Sequence, residues 1–412
     1  MTGPFAISVD DVRAAQGLIS GALARTPCLP APRLSALTGA EVVVKYETMH
    51  ATGSFKERGA ILKLASLTDD ERRRGVIAMS AGNHAQAVAY HAGRLGVPAT
   101  IVMPDGTPLI KIENTRGYGA RVILNGETLA ESQAEAKRVA ADEGLVFVHP
   151  YDDPLIMAGQ GTVALEMLED HPDLDMMVIP LGGGGLGAGC AIAAKAVRPD
   201  IDIIGAEAEL FASFDNATHG RERPIGGATL AEGIAVKHVG ALTLPVVKAL
   251  FSHIVCVNET QIEDAISIFA TWQRVMAEGA GATGLAAMLA EPERFRGKRV
   301  GLVLTGGNID ARMLASVMVR ALERADRIVS FRITTSDRPG LLGKIATRIG
   351  ELGANILEVS HGRLFIDVPA KGVSLDVTVE TRDAVHAREL LETLAREGYS
   401  PTRLDPRGLS GA

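Results

Sequence analysis

Met176-Met177-Val178-Ile179-Pro180-Leu181-Gly182-Gly183-Gly184-Gly185-Leu186-Gly187-Ala188-Gly189 is the stretch on which the fold turns. A short apolar run, bounded by turn residues, enters a cluster of glycines and leaves it in a run of small residues. That pattern reads as a buried strand, a tight turn and a helix, one unit of a parallel sheet covered on both faces. Adjacent glycines lose much chain entropy on folding, so a bare turn is a poor reason for four of them. Side-chain-free amides at a helix start form a cradle for an anion such as phosphate. The loop lacks the Lys-Ser/Thr of a nucleoside-triphosphate loop, and no acidic residue after a second strand is placed for a ribose.

Outward from this stretch, strands and helices alternate. Residues 9–24 read as an amphipathic helix capped by Ser8 or Asp10, and Glu41-Val42-Val43-Val44-Lys45 as a strand. Short apolar strands follow at 76–79, 99–103 and 121–124, with a helix from the Gly82-Asn83 turn through Tyr90, a helix at 128–142 and a strand at 145–148. Further strands are read at 201–206 and 300–304. The alternation predicts an α/β region of parallel-rich sheets covered by helices. Near residue 326 the pattern changes to strand 328–334, helix 339–352, strand and turn 355–367, strand 373–380, helix 382–397 and a short strand at 400–404. This is a βαββαβ order, an α+β module of its own. The expected division is 1–325 for the chemistry, 326–404 for the module and 405–412 for a loose tail.

Bulk composition excludes several classes. Net charge is −7 with a pI near 5.9, which does not suit nucleic acid. Glu71-Arg72-Arg73-Arg74 reads as a solvated helix end. A single Trp and 4% aromatics leave few surfaces for base stacking. Nothing approaches ~18 uninterrupted apolar residues, so no membrane span is expected. Cys28, Cys190 and Cys256 show no pairing or metal spacing, and the start Met1-Thr2-Gly3-Pro4 carries no signal-like pattern. A reducing, cytoplasmic setting is expected.

Three more segments carry chemistry. Thr52-Gly53-Ser54-Phe55-Lys56-Glu57-Arg58-Gly59 places a lysine at a helix start beside a strand end. Open α/β sheets bind ligands there, and desolvation together with a helix N-terminus disfavours an ammonium, readying the amine as a nucleophile. Read blandly, Ser54 caps the helix and Lys56 is solvated. Ser80-Ala81-Gly82-Asn83-His84-Ala85-Gln86 joins a strand to a helix and offers a carboxylate cradle from Ser80 and the first amides. Leu304-Thr305-Gly306-Gly307-Asn308 sets a hydroxyl at a third strand end, where it could bond a ring nitrogen.

Together and in this order, the four segments resemble the serine/threonine dehydratase family that uses pyridoxal phosphate (PLP), over about residues 10–320. The resemblance implies a two-lobed fold type II region, like the tryptophan synthase β chain, with a smaller lobe at about 45–155. It implies Lys56 as the Schiff-base lysine and the base at the substrate Cα. Phe55 would lie against the cofactor ring and Asn83 on its hydroxyl. Gly182, Gly183, Gly184, Gly185 and Leu186 would hold the phosphate. Thr305 would face the ring nitrogen, and Gly233, in Ala231-Glu232-Gly233-Ile234-Ala235, would lie close by. Ser80, Asn83 and His84 would meet the substrate carboxylate, with Ser80 also catalytic. The implied reaction is threonine dehydration to 2-oxobutanoate and ammonia, with serine as a second substrate.

Rivals of the same fold are serine racemase, a 3-hydroxyaspartate dehydratase and β-replacement enzymes; a decayed, non-catalytic amino-acid sensor is a rival of another class. Eukaryotic racemases carry a second Ser where this chain has Ala81. A cation site of some relatives would start at Glu207, but the carboxylate expected six residues on is Ser213, so no metal is expected. Residues 328–404 resemble an ACT domain through Asp337-Arg338-Pro339-Gly340-Leu341-Leu342 and Gly353-Ala354-Asn355-Ile356. That resemblance implies pairing of copies, or an effector site for isoleucine or valine at Gly340 and Asn355. A homo-oligomer, as a tetramer, is the implied assembly.

Overall fold

The computed structural model describes residues 4–362 and 372–404. It divides into two compact units between Ile309 and Asp310. The helix Ala311–Arg324, which the sequence pattern puts with the first region, groups with the second because it packs against the strand Ile328–Ser336.

The first unit holds two sheets. The larger runs in the order Cys28–Pro30, Glu41–Tyr46, Arg299–Leu304, Met176–Pro180, Asp202–Ala208, His253–Val257. All its pairs are parallel except the first. The smaller sheet, wholly parallel, runs Arg121–Leu124, Ala99–Met103, Val76–Met79, Val146–Phe147. Its strands fall within the lobe expected at about 45–155. Apolar strands buried on both faces explain why the runs are continuous rather than alternating.

Element ends follow local chemistry. The first helix, Val9–Ile19, is started by a Ser8–Asp11 capping box and stops earlier than the apolar pattern suggests, at the Ser20-Gly21 pair. The helix Asn83–Leu95 runs past Tyr90 and ends on Gly96 in the left-handed region, φ +64. The strands Cys28–Pro30 and His253–Val257 lie at the two edges of the large sheet and have no counterpart in the sequence reading.

A buried ionic network fixes the helix Lys56–Ala65. Arg58, 1% exposed, donates to both oxygens of Glu47 and of Glu166 and to the hydroxyls of Thr26 and Thr162, at 2.7–3.2 Å. Lys45 Nζ adds a contact of 2.5 Å to Glu166. The neighbouring carboxylates hold the Arg58 guanidinium firmly protonated against the penalty of burial. Glu57 is tied to His91 at 2.9 Å and accepts from the Thr52 backbone N–H.

The second unit is a four-stranded antiparallel sheet in the order Asn355–Gly362, Gly372–Glu380, Ile328–Ser336, Pro401–Arg403. With the helices Leu341–Glu351 and Ala384–Arg396 the order is βαββαβ. The expected turn at 363–367 and the tail at 405–412 lie outside the described residues.

Candidate active site

Each of the four segments read as carrying chemistry leaves the carboxyl end of a parallel strand or pairs with one that does. The helix Lys56–Ala65 begins against the end of the strand Arg299–Leu304. Ser54 forms an antiparallel bridge with Gly306, Phe55 N–H donates to the Thr305 carbonyl at 3.1 Å, and Gly307 N–H to the Gly53 carbonyl at 3.0 Å. Ser54 does not cap the helix; Phe55 holds the cap position. Ser54 Oγ and Thr52 Oγ1 are instead buried with no hydrogen-bond partner. Orphaned buried hydroxyls cost about 1–3 kcal/mol each, and their presence marks a polar site that a ligand completes.

Lys56 Nζ donates to the Pro150 carbonyl at 2.8 Å and sits 5.1 Å from the centre of the Phe55 ring. Burial pushes its pKa down to about 8, with Glu278 opposing the shift. An appreciable fraction of the amine is therefore neutral near pH 7.

Asn83 stands at the first position of the helix Asn83–Leu95. Its Oδ1 accepts from Asn308 Nδ2 and its Nδ2 donates to Glu278 Oε1, both at 2.7 Å. Ser80 Oγ accepts from Gly82 N–H at 3.1 Å, shaping the turn into that helix. His84 is placed differently from the carboxylate contact expected of it. Its ring is 3% exposed and bonds the Val148 carbonyl through Nε2 at 3.0 Å. Burial, helped by the nearby Lys56, pushes its pKa down to about 3. A neutral ring committed to a carbonyl leaves only its backbone N–H for an anion.

The glycine loop opens the helix Gly185–Val197. Gly184 has φ +90, and a Cβ on Gly183 would lie 2.1 Å from the Tyr151 ring. A side chain at either position would close the cradle. The Gly183 carbonyl accepts from Thr243 Oγ1 at 2.8 Å, and Ile234, next to Gly233, packs on Gly182. Leu186 is 5% exposed and Thr305 3%. The loop, the lysine and the strand-end hydroxyl thus lie in one unit, with Pro150 and Tyr151 linking lysine to loop.

Glu207 does not offer a free carboxylate. Its two oxygens accept from Phe214 N–H at 2.8 Å and Asp215 N–H at 2.9 Å, and burial pushes its pKa up to about 8. Asp215 is paired with His219, Arg221 and Arg223, and Ser213 Oγ donates to the Val236 carbonyl. A donor set already occupied by N–H groups and guanidinium does not fit a hard cation.

Sequence reading missed Glu278, Pro150, Tyr151 and Asn308 as partners in the site. Glu278 ahead of Gly279-Ala280-Gly281 looks like an ordinary helix-start acid, yet its side chain makes no cap bond to its own helix. Asn308 was quoted only as the end of a motif.

The geometry has counterparts among known proteins. L-threonine ammonia-lyase of Thermotoga maritima is 43% identical over 95% of this chain and 98% of its own. The catabolic L-threonine dehydratase TdcB of Escherichia coli is 38% identical over 77% of this chain and 98% of its own. Among solved structures, processed threonine deaminase isoform 2 of Solanum lycopersicum matches with TM-score 0.72 and 34% identity, covering 76% and 87% of the two chains. Maize serine racemase matches with TM-score 0.72 and 34% identity, covering 78% and 99%. Residues 19–306 match the family model described as pyridoxal-phosphate dependent enzyme. With a match over more than half its length, and with a depressed lysine beside a glycine cradle, the chain belongs to the pyridoxal-phosphate dependent enzyme family.

Proposed function

We propose that the chain is a PLP-dependent L-threonine ammonia-lyase, converting L-threonine to 2-oxobutanoate and ammonia and L-serine to pyruvate. The observation that carries this reading is the placement of the buried Lys56 amine: its segment is joined through the Ser54–Gly306 bridge to the Thr305 strand end, and its Nζ through Pro150, next to Tyr151, to the glycine loop. Residues 182–185 and the start of the helix Gly185–Val197 would hold the coenzyme phosphate, Asn83 its ring hydroxyl and Thr305 its ring nitrogen. When bound, PLP supplies an electron sink for the pair left at the substrate Cα. Lys56, returned to a free amine, takes the Cα proton. Ser80 and the first amides of the helix Asn83–Leu95 bind the substrate carboxylate and so turn the Cα–H toward Lys56. The β-hydroxyl leaves as water, and hydrolysis of the dehydrated product returns that water and releases ammonia.

Steady-state rates test the reading. L-threonine is expected to outrun 3-hydroxyaspartate, and 2-oxobutanoate is expected to be the product. Accumulation of D-serine from L-serine, by chiral chromatography, would favour racemisation instead; Ala81, a methyl group where a second proton carrier would be needed, supports elimination.

Thr305 bears on reaction choice. A hydroxyl facing a ring nitrogen cannot hold it protonated as a carboxylate does. With the coenzyme bound, its ring would then stabilise charge at the substrate Cα less, which would suit prompt loss of a β-leaving group. Thr305→Asp is expected to divert turnover into transamination, read as coenzyme converted to its amine form. An unchanged product profile refutes this role.

The second unit is read as an ACT-like regulatory module, supported by its βαββαβ order. Gly340, at φ +81, starts the helix Leu341–Glu351 and lines an open surface groove with Lys344, Arg348 and Tyr399. Asn355 does not line that groove. Isoleucine or valine as effector, a homotetramer and a cytoplasmic setting complete the proposal.

A further inference from the structure

Glu278 occupies a place built for it. Its backbone N–H donates to the Gly306 carbonyl at 3.1 Å, anchoring it to the same strand end that anchors Ser54 and Phe55. A Cβ on Gly306 would collide with Glu278 Oε1, and one on Gly233 would lie 3.4 Å from it. Two positions that border the site are thus side-chain-free where this carboxyl sits. Across the gap it receives Asn83 Nδ2 at 2.7 Å. Asn308 Nδ2 is itself oriented by the Thr52 carbonyl at 2.7 Å, so it can only donate to Asn83 Oδ1. Held from both sides, the Asn83 carboxamide keeps one Nδ2–H in hand for a ligand.

We propose that Glu278 is a positioning residue for the reaction: it fixes the Asn83 carboxamide and, anchored to the same strand end as Phe55, acts on the neighbouring Lys56 amine. The proposal rests on Lys56 being the reactive amine.

The charges around the pair are few. Lys56 is faced by Glu278, which favours its protonated form, and lies near His84 and His149, whose charged forms it disfavours. Glu278 is faced by Lys56, Lys111 and Glu232, with the last two paired to each other at 2.6 Å. Burial pushes the Glu278 carboxyl up to about 7, against the Asn83 hydrogen bond and Lys111. Glu278→Gln keeps an acceptor for Asn83 and removes the charge. Glu278→Asp keeps the charge and withdraws it from Asn83. The two variants separate the two duties.

The test is competitive labelling of the full chain, freed of coenzyme, with acetic anhydride across a pH series, reading Lys56 acetylation by mass spectrometry. Wild type is expected to show a Lys56 midpoint about 8. Glu278→Gln is expected to lower it by roughly one unit. Glu278→Asp is expected to move the midpoint less and to weaken PLP binding about tenfold, one hydrogen bond's worth at a charged group. A wild-type midpoint near that of free lysine sinks the reading of Lys56 itself. A wild-type midpoint about 8 that Glu278→Gln leaves in place overturns the role of Glu278 alone. If the Gln variant does not fold, unchanged PLP affinity in the Asp variant overturns it.

Discussion

Replacing Lys56 with alanine is expected to lower kcat on L-threonine by roughly a thousandfold or more, since the group that takes the Cα proton is gone. The same change removes the covalent anchor for the coenzyme, so the visible absorption of the loaded protein is expected to disappear as well. Fold is not the cause: Lys56 Nζ makes a single hydrogen bond, to the Pro150 carbonyl, and its amine is already costly to bury. The thermal midpoint of the coenzyme-free variant is therefore expected to stay near that of coenzyme-free wild type. Coupled detection of 2-oxobutanoate, a spectrum and a melt check all three. Turnover at the wild-type rate would end the case for a PLP lyase.

The second large effect is on stability. Arg58 is two residues from Lys56 and bonds four side chains from three distant parts of the chain. Arg58→Ala strands the buried carboxylates of Glu47 and Glu166, leaving, among the described residues, the Lys45 ammonium on Glu166 and the His50 ring on Glu47. Breaking a buried pair from one side costs about 3–5 kcal/mol, so denaturant unfolding of the first unit is expected at a markedly lower midpoint. The exposed pair Arg13–Asp10 is the comparison: both partners are more than half exposed, and Arg13→Ala is expected to leave the midpoint in place. Equal effects of the two substitutions would refute the view that this network carries the helix.

The parallel strands were legible because each is a brief apolar run closed by a turn. Val76–Met79, Ala99–Met103, Arg121–Leu124 and Met176–Pro180 stand where the pattern puts them. The edge strands were not. Cys28–Pro30 is three residues long and ends in proline, too short to show a pattern, and the apolar run Ile254-Val255-Cys256-Val257 of the other strand was passed over. The lysine, the glycine loop, Ser80, Asn83 and Thr305 stand out in the sequence as candidates because turn chemistry and strand ends mark them. What sequence spacing could not reveal is which side chains meet across the chain. The Asn83–Glu278 bond joins residues 195 positions apart, and nothing local to either predicts it. At His84 the side chain belongs to the wall, bonding the Val148 carbonyl, and the backbone N–H is what remains to meet an anion.

The Ser54–Gly306 bridge has a consequence for how the protein comes to exist in a cell. Asn308 reaches Thr52 across 256 positions, and the strand Arg299–Leu304 supplies a parallel neighbour to Glu41–Tyr46. While the ribosome is still translating the middle of the message, the segment carrying Lys56 lacks the strand end it pairs with, and Asn83 lacks the Glu278 and Asn308 side chains that hold it. Such long-range pairings form late and slowly. Catalytic competence therefore arrives only after nearly the whole first unit has emerged, and until then the nascent chain carries an amine not yet tuned for chemistry.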